Sequence, residues 1–157
     1  GAGIADSVLE FVAASSEVVV VATPEPTSIT DAYALLKTLN RKSDFSVDGT
    51  KISMLANRIS NPEEGVELYE KLRVVTEKFL QIPLTYLGAV PQDMNVSKAV
   101  IQQKPVTLLY PNTEAAKAII RIAEKICNGT EVSQEGKKGL AQLFSNLIKS
   151  KYRKKQE

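Results

Sequence analysis

Glu17-Val-Val-Val-Val-Ala-Thr23 is an unbroken apolar run, rich in β-branched residues, that Pro24-Glu25-Pro26 closes at once. A half-wet strand alternates apolar and polar residues. This run does not, so it reads as a strand of a parallel sheet, buried on both faces. Two further short runs, Lys51-Ile-Ser-Met-Leu-Ala-Asn57 and Leu84-Thr-Tyr-Leu-Gly-Ala89, read as the second and third strands.

Helical patterns separate the three runs. Ile4, Val8, Leu9, Phe11 and Val12 predict a helix over 4–14. Ser28, with Asp31 three residues on, reads as an N-cap and first-turn acid of a helix to about 41, its Ala32, Leu35, Leu36 and Leu39 facing inward. Asp48-Gly49 marks a turn, and Pro62 opens a helix to about 79 with Val66, Leu68, Leu72, Val75 and Phe79 on its inner side. Helices over 96–103 and 113–128 follow, the second stopped by Gly129. Three strands alternating with helices specify an α/β fold with a mostly parallel sheet and flanking helices. Ligands of such sheets bind at the carboxyl ends of the strands. Those ends are Thr23-Pro24, Asn57-Arg58 and Val90-Pro91.

A chain of 157 residues, 43% hydrophobic and 24% charged, has the composition of one soluble domain with a proper core. Its longest apolar run, 18–22, is far shorter than the roughly 20 residues that cross a bilayer. A cytoplasmic protein, on a membrane at most peripherally, is the expectation. Histidine is absent, which excludes His-based metal sites and Ser-His or Cys-His nucleophiles; no metal site is expected. The single cysteine, Cys127, falls in the pattern Ala118, Ile119, Ile122, Ala123, Ile126 and reads as a small core residue.

The end of the chain differs from the rest. Leu140, Leu143, Phe144, Leu147 and Ile148 recur at helical spacing, with Lys137 and Lys138 before them and Lys149, Lys151, Arg153, Lys154 and Lys155 after. The charge belongs to this segment: the whole chain is +2, and the part before residue 136 is net acidic. An apolar stripe with flanking bases suits an anionic membrane surface. A core helix packed on the domain is the alternative. The organisation expected is therefore an α/β domain over 1–128, a linker over 129–136 and a basic amphipathic helix over 137–157.

The order of motifs carries a resemblance. Gly1-Ala-Gly-Ile4, Val-Val-Val-Ala-Thr-Pro-Glu25 with Ser28-Ile-Thr-Asp-Ala32, Asn57-Arg58, Gly88-Ala-Val-Pro-Gln-Asp93 and Gln103-Lys-Pro105 together resemble the C-terminal half of the MinD/ParA family of deviant Walker ATPases. Within it, Thr-Pro-Glu-Pro-Thr-Ser-Ile-Thr-Asp-Ala-Tyr-Ala-Leu is most similar to the flagellar-number regulators of the FlhG branch.

That resemblance implies the following. Gly3 matches the end of the switch segment that senses a γ-phosphate, unless it is a simple loop glycine. Asn57, followed by Arg58, matches the position whose side-chain amide reads the adenine edge, the alternative being a polar residue that satisfies backbone. Pro91 and Asp93 match the loop that closes over the base, or form an ordinary post-strand turn. Glu25 and Asp31 match family positions without an assigned step. The helix carrying Leu140, Leu143, Phe144, Leu147, Ile148, Lys149 and Lys151 is similar to the family's membrane-targeting sequence.

A longer family member would bind ATP and Mg²⁺, dimerise in its ATP state and cycle between the cytosol and the inner face of the cell membrane. It would set flagellar number or placement, with flagellar assembly proteins as partners and no specific nucleic acid. A ParA-like partition protein with its basic tail on DNA, a MinD-type division-site regulator and a non-enzymatic binding module are the alternatives; the apolar stripe speaks against DNA, which has no use for it. One departure from the family is large: no G-x-x-x-x-G-K-[ST] phosphate loop occurs in the sequence. The chain by itself is therefore expected to hold no catalytic residue, to bind no cofactor and not to hydrolyse ATP. A sheet without its first strands is also expected to expose an apolar edge and to self-associate.

Overall fold

The computed structural model describes residues 6–42, 45–47 and 49–129. The chain divides into a unit over Gly1–Ile122 and a second over Ala123–Glu157. In chain order the elements are α1 (Asp6–Ala13), β1 (Glu17–Ala22), α2 (Pro26–Asn40), β2 (Lys51–Ile59), α3 (Pro62–Leu80), β3 (Thr85–Pro91), α4 (Met94–Ile101), α5 (Val106–Leu109) and α6 (Glu114–Gly129).

The three strands form one parallel sheet in the order β1-β2-β3, with Val20 opposite Met54 and Met54 opposite Tyr86. Parallel neighbours need long crossovers, which α2 and α3 provide. α2 packs on β1, α3 packs on β2 and β3, and the two helices pack on each other. Val20, Ala22, Ile52, Met54 and Ala56 from the sheet meet Leu36, Leu68 and Leu72 from the helices in a single core.

Several expectations need correction. β1 is not covered on both faces: Val20 and Ala22 are buried, but Val19 and Val21 are 36% and 53% exposed. The physical reason is one-sided cover: α2 packs on β1, and its Ala32 and Leu36 share a core with Val20 and Ala22 on that face. α2 begins at Pro26, whose fixed φ suits the first helical position, so Ser28 is not its cap. Instead the Ser28 Oγ accepts from the Thr23 N–H at 2.9 Å. No acid stands in the first turn.

α3 is capped by Asn61, whose side chain accepts from the Glu64 N–H at 2.8 Å. Its buried row is Gly65, Leu68, Leu72, Thr76 and Leu80, while Val66 and Phe79 are 49% and 64% exposed. Gly65 explains the rotation. A Cβ there would stand 2.7 Å from the Tyr86 hydroxyl and 3.1 Å from the Ala89 Cβ, so a side-chain-free position lets helix and sheet approach. On α1, Leu9 and Ala13 are buried and Val8 and Phe11 face outward.

In α6 the buried stripe is Ala115, Ala116, Ala118 and Ile122. Cys127, expected in the core, is exposed. The buried stripe ends along the helix at Ile122, and Cys127 stands beyond that end. Gly129, the expected start of the linker, is the last residue of α6, and the rest of the linker and the basic helix lie outside the described residues. Among those residues no helix is long and apolar enough to cross a membrane.

Candidate functional site

β2 and β3 run farther than their apolar runs alone indicate, to Ile59 and Pro91, and their pairing there is irregular. Asn57 stands opposite Val90 and Ile59 opposite Pro91, so Arg58 is an extra residue bulging from the ladder. Its φ is 59°, in the left-handed region, which costs a residue with a Cβ on the order of 1–2 kcal/mol. Such conformations concentrate at functional sites.

The bulge borders a cleft of about 480 Å³ at the carboxyl ends of all three strands. That size lies within the range of small-molecule sites, roughly 300–1,000 Å³. Its floor is apolar, made by Val21 of β1, Leu55 of β2, Val90 of β3 and Ile119 of α6. Asn57 and Arg58 border one part, and Pro91, Gln92 and Asp93 carry the chain round into α4, whose Met94, Val96 and Ser97 complete the wall. Four residues singled out in the sequence, Asn57, Arg58, Pro91 and Asp93, thus meet in one place.

Each brings a different chemical property. The Asn57 side-chain amide makes no hydrogen bond among the described residues, which leaves one donor group and one acceptor for a ligand. Asp93 is committed. It is the N-cap of α4, and its Oδ1 accepts from the Asn95 N–H at 2.8 Å and from Asn95 Nδ2 at 3.0 Å. Pro91 gives a rigid apolar rim, and the Gln92 N–H behind it donates to the Ile59 carbonyl at 2.9 Å, tying the loop to the end of β2. The Arg58 Nη1 lies 3.2 Å from Oε1 of Glu25, and the Thr23 Oγ1 donates to the other oxygen of that carboxylate.

Gly3 and the basic helix, Leu140 through Lys151, lie outside the described residues. Among the described residues no cluster of His, Cys, Asp or Glu could hold a metal ion. The apolar floor escaped the sequence reading. Val21 and Leu55 look like ordinary strand interior, and Ile119 like ordinary helix core. Met94 had a signal, a large apolar residue directly after the loop acid.

The chain is similar to several known proteins. The chain is 46% identical over 125 residues to the antiactivator FleN of Pseudomonas aeruginosa, covering 80% of this chain and 43% of FleN. It is 32% identical over 152 residues to the flagellum site-determining protein YlxH of Helicobacter pylori, covering 95% and 50%. An ATP-binding protein of Methanocaldococcus jannaschii is 34% identical over 149 residues, covering 94% and 51%. The chain therefore spans about half the length of the curated relatives it matches.

Two solved structures share the fold. The septum site-determining protein MinD of Pyrococcus horikoshii, complexed with Mg-ADP, superposes with a TM-score of 0.56 at 19% identity, over 86% of this chain and 51% of that one. The cell division ATPase MinD of Pyrococcus furiosus gives 0.54 at 22% identity, over 80% and 48%. No protein-family model matches the chain.

Proposed function

Because the chain belongs to the MinD/ParA family of ATPases over the stretch it shares with these relatives, we propose that its cleft is the base-binding end of an ATP site. The observation that carries this reading is the convergence of Asn57, Arg58, Pro91 and Asp93 on one apolar-floored cleft at the strand ends. Adenine presents a donor and an acceptor side by side, and the unengaged Asn57 amide matches that pair. Val21, Leu55, Val90 and Ile119 take the faces of the ring out of water, and Pro91 bounds it rigidly. Asp93 shapes the wall by starting α4 rather than by reading the base. With its Oδ1 already accepting twice, it is poorly placed to clasp the two adjacent donors of guanine.

ATP with Mg²⁺ would supply a transferable phosphoryl group in the longer protein. The residues described here hold the base and exclude water from it. No phosphate loop occurs in the sequence, so the chain by itself, expected to hold no bound ATP, is proposed to offer only the base end, which free adenosine can fill, and not to hydrolyse ATP. Two relatives with flagellar or antiactivator names support a role of the longer protein, as a dimer in its ATP state, in setting flagellar number or placement. The basic helix is proposed to attach it peripherally to the anionic cytoplasmic leaflet, each base adding on the order of 1 kcal/mol and dimerisation adding avidity.

The test is titration of the chain with adenosine and with guanosine, followed by the backbone amide resonances of residues 57, 58, 90 and 92–97. Adenosine is expected to shift them and guanosine not. Equal responses, or none, remove the reading. For the tail, co-sedimentation with anionic but not neutral vesicles is expected, and its loss in Phe144→Glu. Unchanged binding in that variant returns the apolar stripe to a packing role.

A further inference from the structure

Asn57 and Arg58 are adjacent in sequence, yet both line the cleft. Regular strand geometry forbids this, since successive side chains point to opposite faces. The bulge at Arg58 and its left-handed backbone remove the restriction and bring a guanidinium beside the base-reading amide. An arginine in that position is ambiguous toward a nucleotide. Its plane stacks on a ring, but its donors bind phosphate bidentately, and phosphate is the stronger partner.

Glu25 removes the ambiguity. Its carboxylate does not line the cleft. It reaches the cleft through Arg58, at 3.2 Å, and is itself held by the Thr23 hydroxyl, while the Thr23 N–H is anchored on Ser28 Oγ. The Arg58 and Glu25 side chains are 57% and 53% exposed, so the pair adds little stability. What it changes is the charge offered to a ligand. Arg58, Glu25 and Asp93 together are net negative, a mouth that repels a polyanion and leaves the guanidinium plane and the apolar floor to the base.

We propose that Glu25 is a specificity-determining residue: by neutralising Arg58 it keeps phosphate groups out of the base end of the cleft, so that a nucleotide enters with its base toward Asn57. Rejection of the wrong end is as much a part of recognition as attraction of the right one. This inference rests on the cleft being a base site, and its test separates the two.

The 157-residue chain and Glu25→Gln are titrated at low ionic strength with adenosine and, separately, with pyrophosphate, read at the amides of residues 57, 58, 90 and 92–97. In the unaltered chain adenosine binds and pyrophosphate does not. In Glu25→Gln the affinity for pyrophosphate rises roughly tenfold or more and competes with adenosine, whose own affinity stays within about twofold. Adding Arg58→Gln abolishes the gain, and the charge exchange E25R/R58E, which restores a neutral pair, restores exclusion. Glu25→Ala, a second way to remove the charge, behaves like Glu25→Gln. Pyrophosphate binding that is the same with and without Glu25, while adenosine binds, overturns this proposal and leaves the base site standing. No adenosine binding to the unaltered chain overturns both.

Discussion

The two faces of the sheet are built to different standards. On one, Val20, Ala22, Ile52, Met54 and Ala56 are all buried beneath α2 and α3 in a close-packed layer. On the other, Val19 and Val21 are partly open, and Leu55, Asn57 and Val90 surround a cleft. β1 and β2 supply both, alternating side chain by side chain as far as the bulge at Arg58. The closed face carries most of the buried apolar surface of the sheet; the other face leaves Val19 and Val21 exposed and borders the cleft proposed as the base site.

The largest effect that tests this contrast is on the closed face. Leu72→Ala removes a fully buried side chain from the core and is expected to cost about 2–5 kcal/mol in denaturant unfolding. A loss near zero would mean that α3 is not the lid of that layer. Next is Asp93→Ala, which deletes the cap of α4 and is expected to lower stability by about 1 kcal/mol. Because the cap shapes the cleft wall, adenosine binding should weaken with it. Asn57→Ala sharpens the contrast most, since the amide has no partner in the described structure. Unfolding should change by under about 0.5 kcal/mol, whereas adenosine binding should fall roughly tenfold. A large stability loss there would place Asn57 in the scaffold.

The smallest effect concerns pH. The Arg73 guanidinium, hydrogen-bonded to the Glu70 carboxylate at 2.7 Å, holds that carboxyl below the usual glutamate range. A lowered folded-state value means that stability is present at neutral pH and lost as pH falls through that value. Arg73→Gln should therefore flatten, slightly, the acid limb of a stability profile, and an unchanged limb would show the exposed pair to be inert.

Periodicity made the layer order legible: three apolar runs and the helical patterns between them correspond to β1, β2, β3 and the main helices. Deviations arose where one residue altered geometry without altering pattern. Gly65 rotates α3 by permitting close approach, and so moves Val66 and Phe79 outward. Pro26 starts α2 ahead of Ser28. In the site, Asn57, Arg58, Pro91 and Asp93 were recognisable from motif order, but the bulge that places Asn57 and Arg58 side by side was not. Nothing in Asn57-Arg58-Ile59 announces a left-handed arginine; it follows from pairing with β3, a contact between segments about thirty residues apart.

That distance also governs how the molecule comes to be folded. Val20 pairs with Met54 and Met54 with Tyr86, so each strand contact closes a loop of more than thirty residues before any sheet hydrogen bond stabilises it. α2 and α3, made of local contacts, can form without closing such loops, and once formed they shorten the path between strand partners. Assembly of the sheet should then wait on its own crossovers, and substitutions that weaken the contact between α2 and α3 should slow refolding as well as speed unfolding.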